Sequence, residues 1–281
     1  MKLKEGGAMP GAGAIHIDEI EPTLDALEKV LGIDLKNNTL GSVGKREFSG
    51  DIDIALQIDP EDIPEFIEKL KSIPGIDEVA KSSVIMTKVP IQNYDAGKQP
   101  EGRSRTGFVQ VDFMPGDPGW LKTYYHSPKE SESKYKGVLR NILVSSIALH
   151  YEREDSEETI EDGRPVETER WLFSPTEGLV RVKRTPVPKK SGEGYTKKNK
   201  NVIIGEPKKT ADSIADALGL DSAKDLNSYE SLKAAIEKNY PQELVAKILD
   251  DFKNNSQVQD VGVPDDLKNE QIERIRELAG L

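Results

Sequence analysis

The 281-residue sequence contains no cysteine, few aromatic residues and no long apolar stretch. Without cysteine, disulfides and thiolate metal sites are excluded, and the composition suits a reducing compartment. No run of eighteen or more apolar residues is present, and the first seven residues lack the apolar stretch of a secretory signal. These absences predict a soluble protein of the cytoplasm.

Positive charge is also scarce, because 39 Lys and Arg residues face 50 Asp and Glu residues, which gives a net charge of −11. This balance argues against a protein that coats nucleic acid with its whole surface. At 281 residues the chain is long enough to bury a core in one large or two modest domains. The composition therefore favours a soluble globular protein with a localised function.

The most informative stretch runs from Leu40 to Leu56 and combines a Gly-Ser turn with two alternating aspartates. The side chains of a strand alternate between its faces, so Asp51 and Asp53 share one face while the isoleucines between them supply the buried one. Two adjacent carboxylates repel each other unless a cation lies between them, and Mg²⁺ prefers carboxylates together with substrate phosphates. The pattern indicates a site for a metal ion and a polyphosphate.

This stretch resembles the signature of the DNA polymerase β-like nucleotidyltransferase superfamily. The signature is a hydrophobic residue, Gly, then Gly or Ser, a short spacer, and Asp-hydrophobic-Asp-hydrophobic, which Leu40-Gly41-Ser42 and Asp51-Ile52-Asp53-Ile54 fit position by position. The family also requires a third carboxylate on a later strand flanked by apolar residues. Asp112, in the alternating stretch 108–114, fits that description. The match covers about residues 18–150, and the whole chain resembles nucleotidyltransferase-like proteins encoded by bacteriophages.

The resemblance implies transfer of a nucleoside monophosphate from a nucleoside triphosphate such as ATP to an acceptor hydroxyl, with release of pyrophosphate. Asp51, Asp53 and Asp112 would hold two Mg²⁺ ions, with Mn²⁺ as an alternative, and Asp112 would be the residue nearest to a general base. Four residues are assigned to the nucleotide, and they are Gly41, Ser42, Lys45 and Lys136. Lys136 lies in the polar first turn of a helix predicted over 135–151, and Arg140, one turn on, is a further candidate for phosphate. An ordinary helix terminus explains this turn equally well.

The implied fold is α+β, a polymerase β-like palm with a mixed sheet flanked by helices, followed by a C-terminal helical module. We expect a catalytic domain over 1–180, a basic flexible linker or loop over 181–209 and a helical bundle over 210–281. The bundle is predicted from four amphipathic segments, which span 210–220, 228–239, 241–254 and 269–278.

Around the motif, smaller features complete the expected domain. Residues 6–14 are interpreted as a flexible lead-in to a helix that Asp18 caps with Glu21 as its capping-box partner. His16 is interpreted as structural, and Asp117 as the cap of a later helix. The charged side chains of the 93–106 loop either flank a substrate entrance or are plain solvated charges, and they include Lys98, Arg103 and Arg105.

Basic residues concentrate in one part of this acidic chain. They are Arg181, Lys183, Arg184, Lys189, Lys190, Lys197, Lys198 and Lys200, with Glu193 as the single acidic residue among them. A phosphate-bearing partner such as RNA, DNA or a nucleotide would be attracted to this segment in a salt-dependent manner. A solvated linker that separates two domains is an equally good interpretation.

Two other functional classes remain open from the sequence. A binding or structural protein could retain this fold without turnover, although such a protein has no need of three clustered carboxylates. The acceptor could also be a protein hydroxyl, as in adenylylating toxins, rather than RNA or a small molecule.

Overall fold

The computed structural model describes residues 9–100, 104–152, 168–191 and 195–268, with the side chains of Pro186 and residues 195–199 left aside. The chain is α+β and divides into two compact units, Met1–Val138 and Leu139–Leu281. This division differs from the predicted boundaries after residues 180 and 209. Among the described helices, none is both long and apolar enough to cross a membrane.

The first unit is built on a mixed four-stranded sheet. Its strands are Asp51–Leu56 (β3), Val79–Lys81 (β4), Ile85–Pro90 (β5) and Phe108–Pro115 (β6). They lie in the order β3-β6-β5-β4, with β3 parallel to β6 and the other pairs antiparallel. A separate two-stranded ribbon joins Ile15–His16 (β1) and Phe48–Ser49 (β2). The mixed sheet flanked by helices agrees with the predicted fold class.

One face of this sheet forms the core of the first unit. Its alternating residues, including Ile52, Ile54, Val111 and Phe113, are fully buried. They belong to one apolar cluster with residues of helix α1 (Ile17–Leu31) and helix α2 (Ile63–Lys71). Because side chains alternate along a strand, burying this face directs Asp51, Asp53 and Asp112 to the other one.

Helix α1 begins one residue before the predicted cap. His16 is the N-cap, its Nδ1 accepts from the backbone N–H of Asp18, and Glu19 completes the capping box in place of the predicted Glu21. The side chain of Glu19 is also buried in an ion pair with Arg105, a partner that no local pattern reveals. The helix ends at Gly32, whose φ of 72° is the left-handed conformation that glycine favours.

The lead-in residues also depart from the prediction. Within residues 9–14, which were expected to be flexible, Met9 is buried and its backbone N–H donates to the side chain of Gln110. Further along, the N–H of Gly13 donates to the carbonyl of Phe108. The segment is therefore held to strand β6 by hydrogen bonds from its backbone N–H groups, while residues 6–8 lie outside the described residues.

Two helices follow the sheet, one in the first unit and one that spans its boundary. Helix α3 (Pro118–Tyr124) begins as predicted at Asp117, whose side chain accepts from the N–H of Trp120. Helix α4 (Gly137–His150) starts where a side chain has no space, because a Cβ at Gly137 would overlap the carbonyl oxygen of His126. The boundary between the units falls within α4.

The second unit contains an antiparallel sheet and a set of helices. Strands β7 (Thr168–Ser174), β8 (Gly178–Pro188) and β9 (Tyr195–Lys208) are adjacent in that order. The helices are α5 (Ala211–Ala217), α6 (Tyr229–Asn239), α7 (Gln242–Asn254) and α8 (Ser256–Val261). The predicted helix over 269–278 lies outside the described residues.

The basic segment lies mainly in β8 and β9 and is not the predicted flexible linker. Val180 and Val182 are each 1% exposed, so apolar residues that alternate with the basic ones fix β8 against the core. Arg181 is committed to ion pairs with Glu152 and Glu169. The sequence itself indicates a β-rich run over 179–187, which β8 confirms, and only the strand β9 was not predicted.

Candidate metal centre

The three aspartates of the motif lie on two adjacent parallel strands. Asp51 and Asp53 are two residues apart on β3, and the register of β3 and β6 places Asp53 directly opposite Asp112. One carboxylate oxygen from each of the three residues lies within 4.8 Å of the other two. The structure therefore brings together the three carboxylates that the sequence predicted, close enough to hold a metal ion.

The electrostatics of the cluster favour a bound cation. Burial, followed by the charges of Asp51 and Asp112, raises the pKa of Asp53 to about 8. Burial and the charge of Asp51 also raise the pKa of Asp112 to about 6, although a hydrogen bond from Gln110 acts in the opposite direction. Half-buried carboxylates in mutual repulsion are a suitable ligand set for a hard divalent cation, which prefers oxygen donors.

The predicted Gly-Ser turn lies beside this cluster. The backbone N–H of Leu40 donates to the carbonyl of Asp53, and a Cβ at Gly41 would lie 3.4 Å from Oδ2 of Asp53. Gly41 has a φ of 61°, so glycine both permits the left-handed turn and keeps the space next to the carboxylate clear. Ser42 follows in the same turn and is half-buried.

The turn is held by the segment that precedes α4. Gly41 forms a β-bridge with His126, and the Lys45 ammonium donates to the Ser127 carbonyl at 2.6 Å. Burial lowers the pKa of Lys45. Lys45 therefore anchors the turn in this structure, and Lys136 is a half-buried residue at the end of the same segment. The predicted nucleotide-binding residues thus lie on two segments that contact each other.

Arg140, which the sequence offered as a further phosphate contact, has a different role. The residue is 2% exposed, and its Nε donates to the carbonyl of Leu226 at 2.8 Å. It is therefore a buried structural cation of the second unit. An arginine within a mainly apolar helix gives the same sequence signal in either role.

Two neighbours of the cluster were not predicted as site residues. Tyr125 is half-buried, and its pKa is raised by burial and by the nearby charge of Asp53. Gln110 donates from Nε2 to both carboxylate oxygens of Asp112, at 2.7 and 3.0 Å. The alternation of β6 already placed Gln110 on the face of Asp112, and that polar position was the available signal.

A scan of the chain against protein-family models found no match, and a search of curated proteins found no relative. The resemblance to nucleotidyltransferases therefore rests on the sequence motif alone.

The raised pKa of Asp53 predicts an unusual pH dependence for the metal-free protein. The folded state retains a proton that the unfolded chain, with a pKa near 3.8, has already lost, so stability falls as the pH rises from about 4 to about 8. We expect Asp53→Asn to increase the free energy of unfolding by roughly 1–3 kcal/mol at pH 8 and to change it little at pH 4. Urea unfolding in a chelating buffer measures both, and the exposed Asp59→Asn provides the control. Equal effects of Asp53→Asn at the two pH values would contradict the assignment.

Divalent metal should stabilise the folded protein through the same cluster. A ligand at one hundred times its Kd adds about 2.7 kcal/mol to stability, which corresponds to an increase of roughly 5–10 °C in Tm for a unit of this size. We expect millimolar Mg²⁺ to produce this shift in the wild type and to lose most of it in Asp51→Asn. Calorimetric melting with Na⁺ at matched ionic strength is the control. Equal shifts in the two proteins would place the binding elsewhere.

Proposed function

We propose that this protein is a metal-dependent nucleotidyltransferase with a polymerase β-like palm, which transfers a nucleoside monophosphate from a nucleoside triphosphate to an acceptor hydroxyl. The single observation that carries the proposal is the strand register that places Asp53 opposite Asp112, with Asp51 on the same face and Gly41 beside Asp53. This arrangement joins both parts of the sequence motif in one place. Its chemistry suits a metal-bound triphosphate.

The residues present fit divalent magnesium. Three carboxylate oxygens converge within 4.8 Å. The pKa of Asp53 is raised first by burial and then by the charges of Asp51 and Asp112, which a cation would offset. Asp51, Asp53 and Asp112 would hold the metal, either one ion or the two that the resemblance implies. When bound, Mg²⁺ supplies charge neutralisation for the triphosphate and the leaving pyrophosphate.

The remaining steps are assigned to groups of the chain itself. The turn at Gly41 and Ser42 would receive the β- and γ-phosphates, because a left-handed glycine turn allows phosphate to approach the backbone closely. The acceptor oxygen would form a bond to the α-phosphorus while the bond between that phosphorus and the bridging oxygen breaks. The electron pair leaves with pyrophosphate, and the carboxylate of Asp112 would accept the proton of the hydroxyl.

The direct test uses purified protein, Mg²⁺ and each of the four nucleoside triphosphates labelled at the α-phosphate. A cell extract supplies acceptors, and the label is then sought in RNA, in protein and in small molecules. We expect transfer of label with release of pyrophosphate, and the class that receives it identifies the acceptor. If the wild type binds Mg²⁺ and transfers no label from any of the four nucleotides, the proposed activity is wrong.

The basic segment is our candidate for holding a polyanionic acceptor such as RNA. Lys189, Lys190 and Lys200 are exposed, so their attraction for phosphate would be long-range and screened by salt. We expect replacement of these three by Gln to weaken RNA binding and to reduce its salt slope by up to about one for each phosphate that is no longer neutralised. Filter binding at several salt concentrations measures the slope.

A matched triple variant removes the same charge from exposed positions elsewhere, at Lys29, Lys81 and Lys224. It should leave the salt slope near that of the wild type. If both triple variants change RNA binding equally, net charge rather than the basic segment determines the affinity.

A further inference from the structure

Gln110 is an almost fully buried amide beside a proposed metal ligand. The residue is 3% exposed, and it lies two residues before Asp112 on the same face of β6. Nε2 donates to Oδ1 of Asp112 at 2.7 Å and to Oδ2 at 3.0 Å. A neutral amide orients the carboxylate without neutralising it, so Asp112 retains its charge for a cation.

The orientation of this amide is determined by its hydrogen bond with Met9. Oε1 of Gln110 accepts from the backbone N–H of Met9 at 3.0 Å, 101 positions away in sequence. The flipped amide would direct its oxygen at two carboxylate oxygens and its NH₂ group at an N–H donor, so both ends would be repulsive. Met9 therefore fixes which end of Gln110 faces Asp112.

The two distances from one nitrogen limit how Asp112 can bind a metal. Nε2 reaches both carboxylate oxygens and so occupies the position between them, which a cation chelated by both oxygens would need. The remaining lone pairs of each oxygen still permit coordination through a single oxygen. Ca²⁺ accepts bidentate carboxylates and six to eight ligands, whereas Mg²⁺ requires a compact octahedral shell.

We infer that Gln110, held by the backbone of Met9, restricts Asp112 to coordination through one oxygen and thereby makes the site select Mg²⁺ over Ca²⁺. Gln110 is a positioning residue in this role, because it acts through Asp112. The inference rests on the proposed function for its choice of metal, but it concerns binding and does not require turnover.

The test is isothermal titration of the full chain with Mg²⁺ and, separately, with Ca²⁺. Gln110→Met removes the donor at similar length. We expect the preference for Mg²⁺ over Ca²⁺ to fall about tenfold, if the loss falls on Mg²⁺ and has the size usual for affinity when a group supporting a metal ligand is removed. If Gln110 had a merely structural role, its loss would weaken the binding of Mg²⁺ and of Ca²⁺ to the same extent. Circular dichroism confirms that each variant is folded.

A matched pair of substitutions at residue 9 tests the same inference through the hydrogen bond from the Met9 N–H to Gln110. Met9→Pro and Met9→Ala both remove the buried side chain, but only proline removes the N–H that holds Gln110. We expect Met9→Pro to lower the Mg²⁺ preference and Met9→Ala to retain it. The two variants leave every side chain of the metal cluster in place.

The inference would be overturned if Gln110→Met and Met9→Pro both kept the selectivity of the wild type. It would also be overturned if both variants lost affinity for Mg²⁺ and for Ca²⁺ to the same extent. A wild type that binds neither metal, or that prefers Ca²⁺, would overturn it as well. A wild type that selects Mg²⁺ but transfers no nucleotide would instead contradict the proposed function and leave the role of Gln110 standing.

Discussion

Asp53→Asn should lower the rate of nucleotide transfer by about 10³-fold or more. Asp53 has the central position in the cluster, with Asp51 on its own strand, Asp112 opposite it and Gly41 at its carboxylate. Asparagine retains the shape of the side chain but not its charge. Loss of about 4 kcal/mol of transition-state stabilisation, a typical cost of removing one electrostatic interaction, corresponds to this factor. Single-turnover rates at saturating Mg²⁺ and nucleotide measure it.

The same substitution should stabilise the metal-free protein at pH 8, because it removes a carboxylate whose pKa is raised to about 8 by burial and by its neighbours. Activity and stability are therefore expected to change in opposite directions, which separates a functional role from a folding defect. Ile52→Val is the matched control on the buried face of β3. It should cost about 0.5–1.5 kcal/mol of stability and leave transfer nearly intact. A transfer rate within tenfold of the wild type in Asp53→Asn would contradict the assigned site.

The parts of the fold that sequence could predict are those that short patterns encode. The alternation in 51–56 and 108–114 predicted two strands with their aspartates on one face, and β3 and β6 have that arrangement. The cap at Asp117 was equally accessible, because a capping side chain and its N–H partner lie within three residues. Both signals arise from backbone geometry within a few residues.

The metal cluster needed a second kind of information. No local pattern specifies that β3 and β6 are neighbours, yet their parallel pairing is what brings Asp112 to Asp53. Here the resemblance to a known superfamily supplied the expectation, and the register agrees with it. The role of Gln110 could not be predicted in this way, because its partner Met9 is 101 residues distant and donates from its backbone.

The sequence was least informative where charge is buried or pairs across strands. Arg105 and the basic residues over 195–208 have the composition of solvated loops, and high local charge lowers the apparent apolar periodicity. Leu179, Val180 and Val182 are buried in the adjacent strand β8, which pairs with β9. Arg105 is the extreme case, since its guanidinium is fully buried.

Arg105→Met should destabilise the first unit by about 3–5 kcal/mol, the usual cost of leaving one member of a buried ion pair without its partner. The Arg105 side chain is 0% exposed and pairs with Glu19, which is 2% exposed. Arg105 also donates to the carbonyls of Asp95 and Lys98 at 2.7 Å each, and its guanidinium lies 4.6 Å from the ring centroid of Tyr94. Methionine would fill much of the space but leave these acceptors without their donor. Urea unfolding at pH 7 measures the difference.

The pH dependence of this loss identifies its origin. Burial opposes ionisation of Glu19, but the hydrogen bonds from Arg105 and from the backbone N–H groups of Asp95 and His16 lower its pKa below 4.5. A lowered carboxyl pKa contributes stability at neutral pH that is lost as the pH falls through the folded value. In Arg105→Met the same carboxyl would be buried without its cation and would protonate more readily. The stability difference between the wild type and Arg105→Met should therefore shrink below about pH 4.5.

Adding Glu19→Gln to Arg105→Met should restore part of the loss at pH 7, because it removes the unpaired charge. A pH-independent difference, with no recovery in the double variant, would show that packing around Arg105 outweighs its ion pair.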